Sequence, residues 1–243
     1  MSDVGQVERA TQNRIVKLFR ERLGYRHLGN WIDRPDNSNI EKDILGDWLR
    51  GRGVSDVLIT RVFRELQNAA ALGDGRHLYD GNKDVYRLLR YGVKVKEGAG
   101  EQNQTVYLID WKNPENNDFA IAEEVSVSGA NKKRPDVVLY VNGIALGVVE
   151  LKRSSVSVAE GIRQNLDNQK KAFIRNFFTT IQLTMAGNDT EGLRYGTVET
   201  TEKPLLPVEG RRREPLRLYA GFPCQPPMRE KALPGDHSRL HRV

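Results

Sequence analysis

The stretch from Arg134 to Arg153, RPDVVLYVNGIALGVVELKR, constrains the fold more than any other part of the chain. Two apolar runs flank Asn142-Gly143, a pair that favours a tight β-hairpin turn. Asp136 opens the first run, and Glu150 and Lys152 close the second at the same end of the hairpin. Two residues apart on a strand, Glu150 and Lys152 share a face. Acids in an otherwise apolar hairpin need a partner, because a buried carboxylate is costly unless it is compensated, and a hard cation can compensate it. Side-chain parity then sets a condition. A plain two-residue turn puts Asp136 opposite Val149 and sends Glu150 to the other face. A three-residue loop, with Gly143 left-handed as a bulge, brings both acids to one face. The reading therefore predicts a bulge in or near the turn, or a kink at Pro135.

At 243 residues the chain suits one sizeable α/β domain that buries a core without staples. It has one cysteine, which excludes a disulfide framework. No apolar run reaches the length of a membrane span, and the opening MSDVGQVERATQNR lacks the apolar segment of a signal peptide. The expectation is a soluble cytoplasmic protein with no membrane partner. The net charge of +6 invites a nucleic-acid partner, but residues 204–243 carry +4 of it and the first 203 residues only +2. Overall basicity is thus a poor argument for a DNA-binding face.

Taken in order, the pattern predicts a helix over about Val4 to Leu23, with Thr11, Ile15, Leu18 and Phe19 on its inner stripe. A second helix is expected from the Asn37-Ser38-Asn39 cluster to Gly51, a third from Ser55 to about Leu72, and a short fourth after Asn82. The period then becomes two. Strands are expected at Gly92–Lys96, Thr105–Asp110 and Phe119–Val127, followed by the hairpin. Ser155-Val156-Ser157 supplies a cap for a helix carrying Glu160, Gln164, Asn168 and Gln169, after which Phe177–Met185 and Leu193–Val198 read as strands. Asp110, Glu123 and Glu124 read as surface charges. His27 and His77 read as loop residues without metal-ligand spacing. The predicted class is α/β: a mixed β-sheet flanked by helices, with an N-terminal helical region.

The order P-D, hairpin, E-x-K resembles the signature of the PD-(D/E)xK nucleases, which implies a restriction-endonuclease-like core. LIDWKNPENNDFAIAEEV, the hairpin with SSVSVAEGIRQNLDNQK after it, and FFTTIQLTMAGNDTEGLRYGTVET together resemble the N-terminal nuclease region of the restriction (R) subunit of type I restriction-modification enzymes. The resemblance implies that Asp136 and Glu150 ligate Mg²⁺, with the backbone carbonyl of Leu151 as a further ligand, and that Lys152 serves the scissile phosphate of double-stranded DNA. Gln164 matches the glutamine of a family Q-x-x-x-Y motif, whereas Asn168 stands where the tyrosine would be. Glu8 could supply a further acid from the first helix. The implied function is a Mg²⁺-dependent endodeoxyribonuclease module working with methylation (M) and specificity (S) subunits. A catalytically silent docking fragment and a stand-alone repair or resolvase nuclease are the alternatives.

R subunits continue into an ATP-dependent motor, and this chain has no G-x-x-x-x-G-K-[ST] with which to bind ATP. The expected division is a nuclease domain over 1–203 and a tail over 204–243 that replaces the motor. The tail holds 7 of the 10 prolines and no apolar periodicity, so it reads as disordered. Dropping one base after the Lys203 codon in one back-translation turns the tail's opening into HYYRWK, an ordinary continuation of the family. The tail is thus expected to be out-of-frame readthrough, with a natural disordered linker as the alternative.

Overall fold

The computed structural model describes residues 3–73, 75–201 and 206–207, with side chains from residue 9 to 201. A seven-stranded mixed sheet forms its centre. In chain order the elements are α1 (Asp3–Glu21), β1 (Arg26–Asn30), α2 (Lys42–Gly51), α3 (Asp56–Ala70), α4 (Leu78–Tyr91), β2 (Val93–Val95), β3 (Gln104–Val106), β4 (Phe119–Glu123), β5 (Val137–Val141), β6 (Ile144–Leu151), α5 (Val158–Asn168), β7 (Leu183–Asn188), β8 (Gly192–Gly196) and β9 (Leu206–Pro207). The sheet order is β1-β4-β5-β6-β7-β8-β9, and β2 and β3 form a separate two-stranded ribbon. The hairpin β5–β6 sits at the middle of the sheet. Strand β7 runs parallel to β6, as a crossover through α5 requires.

Alternating side chains divide the core. Ile121, Val137, Val149 and Leu151 pack with Val16 and Phe19 of α1. At the turn end, Val141, Ile144 and Leu146 pack with α2, α3, α4 and the β2–β3 ribbon. On the opposite face, Ala122, Val138, Tyr140 and Val148 meet Trp31, Phe177 and Phe178. Fully burying side chains of this size contributes roughly 1.5–3 kcal/mol each, so the hairpin, apolar on both faces, anchors all three clusters.

Several sequence expectations are corrected. The inner stripe of α1 is Thr11, Gln12, Val16 and Phe19, while Leu18 is 44% exposed. The helix α2 starts at Lys42, because Ile40 forms a bridge to Ile144 instead of opening a helical turn. The helix α4 starts at Leu78, before Asn82, whose buried amide donates to the carbonyls of Phe178, Thr179 and Ile181. Residues Arg175–Thr179 form a 3-10 turn ahead of β7 rather than its first half. His27 lies on a strand, β1, which pairs in parallel with β4. Leu206 and Pro207 pair with β8, and the rest of the expected tail lies outside the described residues.

Candidate active site

The turn between β5 and β6 contains two residues, with Val141 opposite Ile144 and both Asn142 (φ 52°) and Gly143 (φ 82°) left-handed. Asn142 tolerates this because its side chain is held on three sides. Its amide donates to the Leu108 carbonyl at 2.8 Å and to Asn117 Oδ1 at 2.9 Å, and its oxygen accepts from the Asp118 N–H at 2.7 Å. The expected three-residue loop is therefore absent. The excess residue lies further along β6, where Tyr140 faces Ala145 but Leu139 faces Gly147, leaving Leu146 as a bulge. Gly147 permits this, since a Cβ there would sit 3.0 Å from the Leu139 side chain. Beyond the bulge Val137 faces Val149. Continuing that register puts Asp136 directly opposite Glu150, on one face.

The same end of the hairpin is held open. Pro135 would be the partner of Leu151, but it has no N–H, and its carbonyl accepts instead from the Val125 N–H at 3.1 Å. The Leu151 N–H turns to Asp136 Oδ2 at 2.7 Å. Because N–H and C=O of a strand residue point to the same side, the Leu151 carbonyl is directed towards Asp136 as well.

Helix α5 supplies the roof. Its N-cap is Ser157, which accepts from the Ala159 N–H. Gly161 lets it come close, as a Cβ there would lie 3.1 Å from the Ala186 Cβ and 3.6 Å from the Glu150 Cβ. One turn on, Gln164 Nε2 donates to Glu150 Oε2 at 2.6 Å while Gln164 Oε1 accepts from Lys152 Nζ at 2.7 Å. One amide thus ties the acid to the amine. A further turn on, Asn168 Nδ2 lies 3.4 Å from Glu150 Oε1. Asn168 is 1% exposed, and its Oδ1 is buried without a hydrogen-bond partner. So Asn168, one turn past Gln164, faces Glu150.

Glu150 is 0% exposed. Burial pushes its carboxyl well above the usual range, the Asp136 charge pushes it further, and the Lys152 charge pulls back. The donor set fits a hard divalent cation: two facing carboxylates, one of them desolvated and short of positive charge, and a main-chain carbonyl directed to the same point. Among the described residues no three His, Cys, Asp or Glu side chains gather into a metal-binding group, so any cation here relies on that carbonyl and on water for its remaining ligands. Sequence reasoning brings Asp136, Glu150, Lys152 and Gln164 together as the structure does. The side chain of Glu8 lies outside the described residues.

Charges expected at the surface are engaged. Glu124, left-handed at φ 51°, pairs with Arg134 at 2.7 Å and Arg9 at 3.5 Å beside Asp136. On the α1 face, buried Glu123 accepts from Gln12 Nε2 at 2.9 Å and lies 2.9 Å from His27 Nε2. Asp110 accepts from the Asn116 amide and the Asn113 N–H and lies beside Arg52, which together lower its pKa to about 2. Arg9, Gln12, His27 and Arg52 come from distant segments that no local pattern announces, whereas Asn113 and Asn116 are near neighbours of Asp110 in the chain.

A mixed sheet with helices on both faces, presenting paired acids and a tethered lysine at the open end of its central hairpin, defines an α/β fold with a nuclease-like core. The chain belongs to the family described as the N terminus of the type I restriction enzyme R protein, whose model matches residues 5–203. It is 27% identical over 191 residues to the type I restriction enzyme SauMSSORF170P endonuclease subunit of Staphylococcus aureus, covering 76% of this chain and 19% of that relative. The EcoprrI endonuclease subunit of Escherichia coli is 28% identical over 102 residues, 41% of this chain and 33% of its own length. A putative MjaIXP endonuclease subunit of Methanocaldococcus jannaschii is 34% identical over 121 residues, 47% and 12% respectively. The chain thus spans about a fifth of the length of the staphylococcal relative. No helix among its described residues is long and apolar enough to cross a membrane.

Proposed function

We propose that the chain is the DNA-cutting module of a type I restriction R subunit, a Mg²⁺-dependent endodeoxyribonuclease that acts on double-stranded DNA together with M and S subunits. The observation that carries this reading is the convergence of Asp136, Glu150 and Lys152, with Gln164 bonded at once to the buried acid and to the amine. Asp136, Glu150 and the Leu151 carbonyl would hold the cation. When bound, Mg²⁺ polarises the phosphate and lowers the pKa of water.

The protein's own groups do the rest. Gln164 fixes the ammonium of Lys152 against the cleft, where it stabilises negative charge gathering on the phosphate oxygens. It also restricts the rotamers of Glu150, so the carboxylate keeps one direction. Asn168 gives the second Glu150 oxygen its donor, and Gly161 keeps α5 close enough for both amides to reach.

Plasmid nicking with and without Mg²⁺ tests the proposal, with Lys152→Ala as the control. Cutting that requires the cation and falls by at least 10²-fold in the variant is expected. Equal, residual activity in both chains refutes it and leaves the second reading, a silent docking fragment, which Asn168 in place of the family tyrosine favours.

A further inference from the structure

The cleft explains the acids and Lys152 but not the basic residues beside it. Immediately before Pro135 the chain reads Lys132-Lys133-Arg134, and immediately after α5 and Gln169 it reads Lys170-Lys171. These segments are remote in sequence, and the fold fastens them together. The Ala130 N–H donates to the Phe173 carbonyl at 3.1 Å, Asn131 Nδ2 donates to the Ala172 carbonyl at 2.7 Å, and the Lys133 ammonium lies 4.1 Å from the centre of the Phe173 ring. A Cβ at Gly129 would collide with the Phe173 carbonyl, so the contact also fixes the residue type there.

The fastening uses Lys133. Asp167 holds Lys170 at 2.5 Å, and Glu124 holds Arg134 at 2.7 Å. Lys132 and Lys171 remain exposed, with no carboxylate at ion-pair distance among the described residues. A cation after a helix C-terminus complements the helix dipole, which accounts for Lys170. It does not account for a lysine loop brought from another part of the chain to the same end. Helix α5 also carries Gln164 and Asn168, so the basic shoulder follows within about two helical turns of the cleft, ~10 Å along the axis.

We propose that the loop 128–134, fastened to the turn 169–173, seats the phosphate backbone of duplex DNA, with Lys132 and Lys171 as its contact cations. The role assigned to the shoulder rests on the nuclease reading of the cleft, yet the two are tested apart. Binding of a labelled duplex is measured by fluorescence anisotropy in EDTA, where nothing is cut, across a salt series. Each phosphate contact contributes about 0.9 to the slope of log affinity against log salt. Lys132→Ala/Lys171→Ala is therefore expected to lower the slope by about 2 and the affinity by roughly 10-fold at moderate salt.

Lys94→Ala/Lys96→Ala, on the β2–β3 ribbon at the other end of the hairpin, is expected to change neither. An unchanged slope in the first pair, an equal loss in the second, or no duplex binding by the unsubstituted chain at low salt overturns the inference. Plasmid nicking is scored separately. Binding through the shoulder without nicking leaves the inference standing and removes the nuclease reading, and nicking with an unaltered slope does the reverse.

Discussion

Replacing Glu150 with Gln tests the electrostatics of the cleft without changing its shape. In the metal-free chain the Glu150 carboxyl is buried beside Asp136 and holds its proton above the usual carboxylate range. The folded chain then binds more protons than the unfolded one once pH exceeds the ordinary value of 4.5. Stability is therefore fully present below that value and is lost as pH rises towards the shifted one, at up to about 1.4 kcal/mol per pH unit. Gln has no proton to lose, so this slope disappears in the variant. Nor does its amide orphan a group: its oxygen can keep the 2.6 Å bond from Gln164 Nε2, and its NH₂ can meet Asn168 Oδ1, now unpartnered, after a turn of the Asn168 amide. Urea melts in EDTA from pH 5 to pH 8 are the assay. The variant is expected to match the parent near pH 5 and to exceed it by a margin that widens as pH rises to 8. Added Mg²⁺ should narrow the gap by stabilising the parent alone, and nicking should be absent from the variant. Parallel pH profiles for the two chains would refute the reasoning, because Glu150 would then be ionised and fully compensated.

Four further outcomes are expected. Gln164→Ala removes both the 2.7 Å bond to Lys152 and the 2.6 Å bond to Glu150, so nicking rates should fall about 10–100-fold, as for other groups that orient ligands; a near-parental rate counts against the tether. Asn142→Ala leaves the Leu108 carbonyl, Asn117 Oδ1 and the Asp118 N–H without their partner, and the denaturant midpoint should register a loss of about 3 kcal/mol or more; a loss below ~1 kcal/mol would mean that the turn does not depend on that amide. Deleting Leu146 removes the surplus residue yet leaves Val137 opposite Val149 and Asp136 opposite Glu150, so a deletion variant that still folds by circular dichroism should still cut, and loss of nicking in such a variant would show that register alone does not make the site. Resequencing the gene across the Lys203 codon should reveal one inserted base at the end of the family match; an intact reading frame rules that origin out for the tail.

What could be read from the sequence was whatever local chemistry specifies. Helices α3 and α5 begin beside capping serines, Ser55 and Ser157, whose hydroxyls accept from the Leu58 and Ala159 N–H groups. The hairpin follows from two apolar runs around Asn-Gly. Strand β1 was hidden because RHLGN has no alternation to read. It is an edge strand, and the His27 ring finds its partner, Glu123, ninety-six residues away. The start of α4 was hidden for a similar reason: Asn82 looks like a breaker, yet its amide is the donor for three carbonyls of the segment leading into β7. Leu18 and Val16 exchanged places because the inner face of α1 is partly polar, Thr11 and Gln12 being buried against Asp189 and Glu123. In each case a polar residue finds its partner at long range, beyond the reach of a local pattern.

The acids of the cleft illustrate a different limit. Their need to meet fixes that one residue must be in excess somewhere between Asp136 and Glu150, but it does not say where. Two glycines compete for the role. Gly143 cannot take it, since a turn with both Asn142 and Gly143 left-handed already matches the twist of the flanking strands and closes in two residues. Gly147 can, because the missing Cβ admits Leu139 where the strand bends. Moving the excess from the turn to β6 changes the outcome. A bulge in the turn would have left Asp136 diagonal to Glu150, whereas one at Leu146 sets the two acids face to face with Leu151 between Glu150 and Lys152. Direct opposition brings the like charges closer and raises the cost of leaving them without a cation. The position of a single surplus leucine therefore couples the register of the central hairpin to the charge state of the cleft.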